Sequence, residues 1–413
     1  MLSALARRHL KIRWATCSAA DFRQWWAERH DRLLGIAAAL MLVAALVWLT
    51  YEFWRLLWQT GWWGAVDLRT LQGLVREWFA GRPVYSTSID AIHPPATYAL
   101  LWPLLGWLEF TPARWLWAVT VLTALGWLSL LSVRESGAET RSERAVAALM
   151  PISAYATGAA IGNGQVIVHL LPMLVTGLLL LRRHEPNWRS DLLAGLLILF
   201  TLVKPSISAP FFWIVLFAAN SLRPAWVAAL GYIALTGFAL SFQHTDLAAL
   251  VGDWHSRSSV VALTPGQGNV SNLHIWLSTL GLKQWILPAS LLMLMILGVW
   301  IYKHRRVEIW LLLGVTAYVA RFWTYHRWYD DLVILLPMIA LFRLAKQCPR
   351  PGADVLAGAL LALTILAMLA PGGLFLFPPP WNMHYVAAQV VIWLAGLIFL
   401  AEQARFEKQS AMV

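Results

Sequence analysis

Residues 33–51 read LLGIAAALMLVAALVWLTY, an unbroken run from Leu33 to Tyr51 with no charged side chain. As a helix rising 1.5 Å per residue it is about 28 Å long, close to the roughly 30 Å hydrocarbon core of a bilayer. Only a structure that satisfies its own backbone hydrogen bonds crosses such a core, so the run reads as a transmembrane helix. The preceding Met1–Arg32 segment is basic, and too long and mixed for a signal peptide. With no small-residue cleavage site following, the span is expected to remain as the first crossing.

Similar runs follow at Ala113–Val133, Ala145–Ile161, Val166–Leu181, Leu192–Val203, Ser206–Ala219, Ala225–Phe242, Gln284–Tyr302, Val307–Ala320, Leu332–Leu344, Val355–Ala370 and Val386–Ala401. The composition agrees: of 413 residues 59% are hydrophobic and 13% charged, and 26 are Trp, the residue that anchors helices at membrane interfaces. The expected class is an all-α polytopic transmembrane protein with no soluble domain. Its net charge of +11 lies in short clusters between apolar runs, where the positive-inside bias accounts for it, and a nucleic-acid partner is rejected. Cys17 and Cys348 fall in segments assigned to the cytoplasm, which argues against a disulfide or a thiolate metal site.

The run Pro94–Leu108 reaches only about 22 Å as a helix. A full crossing there would put Arg182-Arg183-His184 and Lys303-His304-Arg305-Arg306 outside, against the charge bias. A re-entrant or strongly tilted Pro94–Leu108 instead leaves all basic clusters and both termini in the cytoplasm. The expectation is about twelve crossings plus this short segment. The chain then divides into a cytoplasmic basic segment (1–32), a main transmembrane module (33–345) with outer loops 52–93 and 243–283, and C-terminal helices with a short tail (346–413). Lys204-Pro205 interrupts the apolar stretch Asp191–Asn220, and proline disfavours helix at the residue before it, so a break there presents Lys204 at an outer tip.

In the first outer loop Leu71, Leu74, Val75, Trp78 and Phe79 recur at helical spacing, predicting an amphipathic surface helix ended by Gly81. Asp67 sits four residues before Leu71, on the apolar face, where a solubilising acid has no business but a pocket carboxylate does. Lys204 is read as a phosphate ligand or a lysine snorkelling to the interface. Gly162-Asn163-Gly164-Gln165 offers amides at a helix start, or merely a tight turn. Arg321, Tyr325, His326 and Arg327 form a cationic, aromatic cluster beside Trp323, Trp328 and Tyr329, the last three read as interface anchors. The loop segments around His255 and Asn269 are long enough to close over a substrate or to form a polar cap.

The order Asp67, amphipathic helix, Gly81-Arg82-Pro83-Val84-Tyr85, His93-Pro94-Pro95 and Leu101-Trp102-Pro103-Leu104 resembles glycosyltransferase family 87, membrane enzymes of the GT-C fold. Gly164-Gln165, Ala194-Gly195 with Lys204-Pro205, Gly268-Asn269-Val270-Ser271, and Tyr325-His326 with Tyr329-Asp330-Asp331-Leu332 and Pro337 continue the resemblance. The family's usual Tyr-Pro-Pro reads His93-Pro94-Pro95 here. The resemblance implies transfer of a sugar from a polyprenyl phosphate to an acceptor hydroxyl on the outer face, with Asp67 as general base. The chemistry asks for the same thing, since an attacking hydroxyl must lose its proton and one carboxylate suffices.

The expected function is therefore an inverting transfer of a hexose, mannose first among the candidates, from a polyprenyl-phosphate sugar to a lipid- or glycan-linked acceptor in the plasma membrane. A retaining reaction would need a second carboxyl, for which Asp90, Asp253 and Asp330 are available. Lys204, Arg321, His326 and Arg327 are assigned to the donor phosphate. His93, Asn163, Gln165, His255, Asn269, Tyr325 and Asp330 are assigned to sugar or acceptor. No metal or cofactor is assigned. The rivals are a lipid or solute transporter using the same polar residues, and a non-catalytic membrane subunit.

Overall fold

A computed structural model describes residues 19–61, 63–182, 187–263, 271–347, 350 and 352–410. Asn269, Cys17, Cys348 and the first 18 residues of the basic segment lie outside the described residues.

Among the described residues the protein is helical, with one isolated bridge pairing Ala154 and Leu369. The helices are α1 (Ala19–Leu57), α2 (Val66–Phe79), α3 (Val84–Thr87), α4 (Pro95–Leu105), α5 (Phe110–Glu135), α6 (Arg141–Ser153), α7 (Tyr155–Asn163), α8 (Ile167–Leu180), α9 (Trp188–Thr201) and α10 (Pro205–Ser208). They continue with α11 (Phe212–Phe217), α12 (Arg223–Leu240), α13 (Leu247–Leu263), α14 (Leu273–Thr279), α15 (Ile286–His304), α16 (Ile309–Phe322), α17 (Leu335–Gln347), α18 (Ala353–Met368), α19 (Gly373–Leu376) and α20 (Trp381–Ser410).

Among the described residues, five helical stretches, Glu28–Leu57, Phe110–Glu135, Arg223–Leu240, Lys283–His304 and Trp381–Ser410, are long and apolar enough to cross a membrane. A sixth arises if α7 and α8, bent by 119° at the elbow between them, count as one broken span. The larger number of about twelve is not reached on length and composition because the fold breaks several apolar runs. Ala145–Ile161 parts at Ala154, which turns extended and pairs with Leu369, while the Ala370 N–H donates to the Ser153 carbonyl at 2.9 Å. Ser206–Ala219 becomes α10, a 3-10 turn and α11.

The bundle has two chemically distinct ends. At one, Arg182 donates to the Val307 carbonyl (2.8 Å), Arg343 pairs with Glu308 (2.7 Å) and Lys346 with Glu143 (2.8 Å), tying the termini of α8, α16, α17 and α6 together. At the other end, where α1, α7 and α16 terminate, lie α2, α4 and the segments that connect the helices there, around a large chamber. The 11-residue α4 is about 16 Å long, too short to cross. His93 and Pro94 before it line the chamber, and the carbonyls of Leu105 and Leu108 after it accept from Gln72 of α2 at 3.4 and 2.7 Å. Both ends of α4 thus sit in the chamber layer. Arg114 of α5 reaches the carbonyls of Arg55 and Gln59 at the end of α1, fixing the next helix to the same layer.

The amphipathic period of α2 is satisfied by burial of Leu68, Leu71, Leu74, Val75 and Trp78. Trp78 stacks on Tyr98 of α4 with centroids 4.7 Å apart, and its indole N–H donates to Ala239 of α12. These contacts hold α2 across the mouth of the bundle, with Asp67 at its first turn.

Candidate active site

Helix α2 starts from Ala65, whose backbone is left-handed at φ 49° and whose N–H donates to the Gly162 carbonyl at 2.9 Å. Asp67 therefore lies among the unpaired amides of a helix start, where the macrodipole favours a carboxylate. Its side chain is partly exposed, and it lines the chamber.

Opposite Asp67 stands the elbow between α7 and α8. Gly164 closes α7 at φ +75°, a conformation that glycine adopts without steric cost. A Cβ on Gly164 would come within 2.4 Å of the Leu68 Cβ, so the elbow presses directly on α2. Asn163 is held by Arg55, which donates to its Oδ1 at 2.9 Å while bonding Glu52 at 2.6 Å. Gly162 packs against that ion pair with no room for a side chain. The Gly-Asn-Gly-Gln segment thus acts as both a tight turn and a presentation of Gln165 to the chamber.

Lys204, at the break between α9 and α10, completes the centre. Its Nζ bonds Asp330 Oδ1 at 2.5 Å and donates to Gln165 Oε1 at 3.4 Å, and it sits 4.8 Å from the centroid of the Tyr329 ring. Gln165 and Asp67 line the same chamber. The buried Asp330 is also engaged by the Arg327 N–H at 3.2 Å. Arg327 faces the chamber, its Nε bonded to the Tyr325 hydroxyl and its guanidinium 5.3 Å from that ring.

The chamber measures about 1180 Å³. That exceeds the roughly 300–1,000 Å³ of ordinary small-molecule sites, leaving room for two substrates. Its remaining walls are mainly apolar, from Leu240 of α12, Leu250 and Val251 of α13, and Ile286 and Leu287 at the start of α15. Helix α13 is clamped over the His93 loop: the Trp254 indole donates to Ile92 (2.9 Å) and Arg257 to Tyr85 (2.8 Å).

Of the residues singled out in the sequence, Asp67, His93, Asn163, Gln165, Lys204, His255, Tyr325 and Arg327 line this one chamber. Arg321 does not: it is buried behind the wall, bonded to Asp331 and, at 2.6 Å, to Ser271 Oγ, so its charge is spent on the fold. His326 is likewise buried off the chamber, its Nδ1 bonded to the Thr324 carbonyl at 3.0 Å. Asp330 reaches the site through Lys204. Trp323, Trp328 and Tyr329, read as interface anchors, line the chamber instead. Trp323 is held there by donating to the Ser206 carbonyl at 2.8 Å. The sequence reading missed His274 and Ser290, which lie on the wall 3.1 Å apart; their separation in the chain and commonplace residue types carry no local signal.

Burial raises the Asp67 carboxyl above its ordinary range, opposed by the neighbouring Gln165 amide and the charges of Lys204 and Arg327. His93 is lowered to about 4, first by burial and then by the Lys204 charge, so it presents a neutral imidazole. The centre thus combines a raised acid, an amide on the same wall, and two cations facing the same space.

The model of glycosyltransferase family 87 matches residues 91–331. The match takes in the His93 loop, the Gln165 elbow, Lys204 and the Asp330 turn, while Asp67 stands ahead of it. No curated protein and no solved structure gives a match. Since the matched segment is more than half of the chain and carries most of the chamber's polar wall, the chain belongs to glycosyltransferase family 87 and is a membrane glycosyltransferase.

Proposed function

We propose that the protein transfers a hexose, mannose first among the candidates, from a polyprenyl-phosphate donor to a lipid- or glycan-linked hydroxyl, with inversion at the anomeric carbon. The observation that carries this reading is that Asp67 and Lys204 face one chamber, with Gln165 on the same wall and bonded to Lys204. Asp67 takes the acceptor proton as its oxygen bonds to the anomeric carbon. The bond to the phosphate oxygen breaks on the opposite face, and the charge left on the phosphate is met by Lys204 and Arg327. Asp330, already bonded to Lys204 and to the Arg327 N–H, is poorly free to act as a second, nucleophilic carboxylate, and Asp90 is exposed at the rim. That favours inversion over the paired-carboxylate alternative.

The apolar wall from α12, α13 and α15 suits a prenyl chain, and the polar floor suits a phosphosugar. We further propose that the chamber opens to the periplasmic or extracellular side of the plasma membrane. Supporting this, the opposite end of the bundle carries Arg182, Arg343 and Lys346, as the positive-inside bias asks of a cytoplasmic face. A lipid or solute transporter is not favoured, because the family is one of transferases.

The test is direct. Purified protein is assayed with a panel of polyprenyl-phosphate sugars against extracted membrane lipids, with Asp67→Asn alongside. The variant should still bind the donor while transfer falls at least about 10²-fold. Full activity of Asp67→Asn removes this residue from the mechanism, and transfer from a nucleotide sugar alone removes the lipid donor.

A further inference from the structure

Four chamber-lining residues far apart in the chain, Ser206, His274, Ser290 and Trp323, are joined by one string of hydrogen bonds along the wall. The Trp323 indole donates to the Ser206 carbonyl at 2.8 Å, two residues past Lys204. The Trp323 carbonyl accepts from the Ser290 hydroxyl, also at 2.8 Å, and Ser290 Oγ meets His274 Nε2 at 3.1 Å. Counting protons fixes the directions in this string. An indole N–H only donates, a carbonyl only accepts, and a hydroxyl has a single proton to give. Ser290 gives that proton to Trp323, so the proton in the remaining bond belongs to His274 Nε2.

A neutral imidazole with its proton on Nε2 carries a bare lone pair on Nδ1. Burial keeps the ring neutral, lowering it to about 4. Nδ1 is shielded from solvent, yet it bonds to nothing among the described residues. A buried acceptor in that state is costly and asks for an explanation. The ring stands on the chamber wall, and α14, which carries it, buries no residue fully, so the ring can turn toward a ligand about its bond to Ser290.

We infer that His274 is a substrate-binding residue whose Nδ1 accepts a hydrogen bond from a carbohydrate hydroxyl, with Ser290 and Trp323 holding the ring in the tautomer this requires. The class of ligand follows from the pattern of donors and acceptors. A lone pair on a neutral ring takes a hydroxyl proton and offers nothing to an ionised phosphate, whose oxygens only accept. The inference rests on the reading of the chamber as the place of sugar transfer, and it gives hydroxyl recognition a residue outside the Asp67 and Lys204 pair.

The hydroxyl belongs either to the donor hexose or to the acceptor, and the experiment separates the two. Binding of polyprenyl-phosphate mannose and of sugar-free polyprenyl phosphate is measured, with the KM for extracted membrane lipid as acceptor, for full-length wild type, His274→Met, His274→Gln and Ser290→Ala. His274→Met should lose about three- to tenfold in affinity for the sugar-bearing donor and nothing for polyprenyl phosphate, the worth of one neutral hydrogen bond, which puts the hydroxyl on the hexose. A rise of the acceptor KM by that factor with donor affinity intact puts it on the acceptor. His274→Gln, which can give Ser290 an N–H and keep an oxygen for the substrate, should recover most of the loss, and Ser290→Ala, which frees the tautomer, should show a smaller loss of the same kind. Unchanged affinity and KM in His274→Met, equal loss with and without the sugar, or a loss that His274→Gln does not relieve overturns the inference. Should His274→Met not survive purification, unchanged values in Ser290→Ala overturn it equally. Wild type that binds no polyprenyl-phosphate sugar sinks the donor reading and this inference with it, whereas wild type that binds and transfers beside indifferent variants sinks only the role of His274.

Discussion

Gly164 and Leu68 touch so closely that the space for one Cβ atom does not exist between them: a methyl on Gly164 would lie 2.4 Å from the Leu68 Cβ. This contact sets the distance between the elbow that carries Gln165 and the helix that carries Asp67. Gly164→Ala must either push the two apart or strain the left-handed φ of +75°. The conformational term alone costs about 1–2 kcal/mol, and overpacking adds about 1–3. Thermal melting in detergent should fall, and transfer should fall with it. Gly126→Ala on α5, where an added Cβ meets nothing within 4 Å, is the control and should leave both unchanged. Equal behaviour of the two variants would mean that the elbow yields and does not gauge the site.

Lys204 and Asp330 form a pair in which the acid is 2% and the lysine 13% exposed. Lys204→Ala leaves a buried carboxylate without its cation, a change that typically costs about 3–5 kcal/mol. Asp330→Asn added to it removes that stranded charge. The double variant should therefore melt well above Lys204→Ala while remaining as poor at binding the lipid donor. A double variant that melts no higher than the single one shows that the two charges are uncoupled, and recovery of donor affinity shows that Lys204 does not hold the phosphate.

Much of the centre was legible in the sequence because its signals are local. Leu71, Leu74, Val75 and Trp78 keep one helical period, which put Asp67 on the inner face of α2, and Pro205 broke the chain at Lys204 whatever lay around it. What stayed hidden depends on partners far away in the chain. Ala154 sits in a continuous apolar run, and its extended backbone comes from pairing with Leu369. Arg321 and Arg327 are indistinguishable as neighbours in sequence, yet Asp331 and Ser271 take the first into the core while the second faces the chamber. Tryptophan and tyrosine near a helix end suit an interface as well as a pocket, so Trp323 and Tyr329 declared themselves only through Ser206 and Lys204.

The Tyr329 ring beneath Lys204 makes a distinct prediction, because a ring face steers an ammonium without competing for its protons. Tyr329→Phe keeps the face and should keep donor affinity within about twofold, whereas Tyr329→Leu should weaken it roughly two- to fivefold, the worth of about 0.5–1 kcal/mol. Donor titration of the three proteins reads this. Equal loss in both variants would assign the effect to the phenol hydroxyl and not to the ring.

His93 provides the pH dependence. Its folded-state value is lowered to about 4, against about 6.5 in an unfolded chain, so between those values the unfolded chain binds more protons. Acidification through this window therefore favours unfolding: the contribution of His93 is absent above about pH 6.5, grows as pH falls, and levels off below about 4. His93→Gln removes the titrating group and keeps a polar side chain on the wall. Its melting temperature should decline less than that of wild type from pH 7 to 4.5, the gap in stability reaching at most about 3 kcal/mol. Parallel melting curves across the window would mean that the imbalance in proton uptake belongs to other buried groups, and that His93 takes its charge in place.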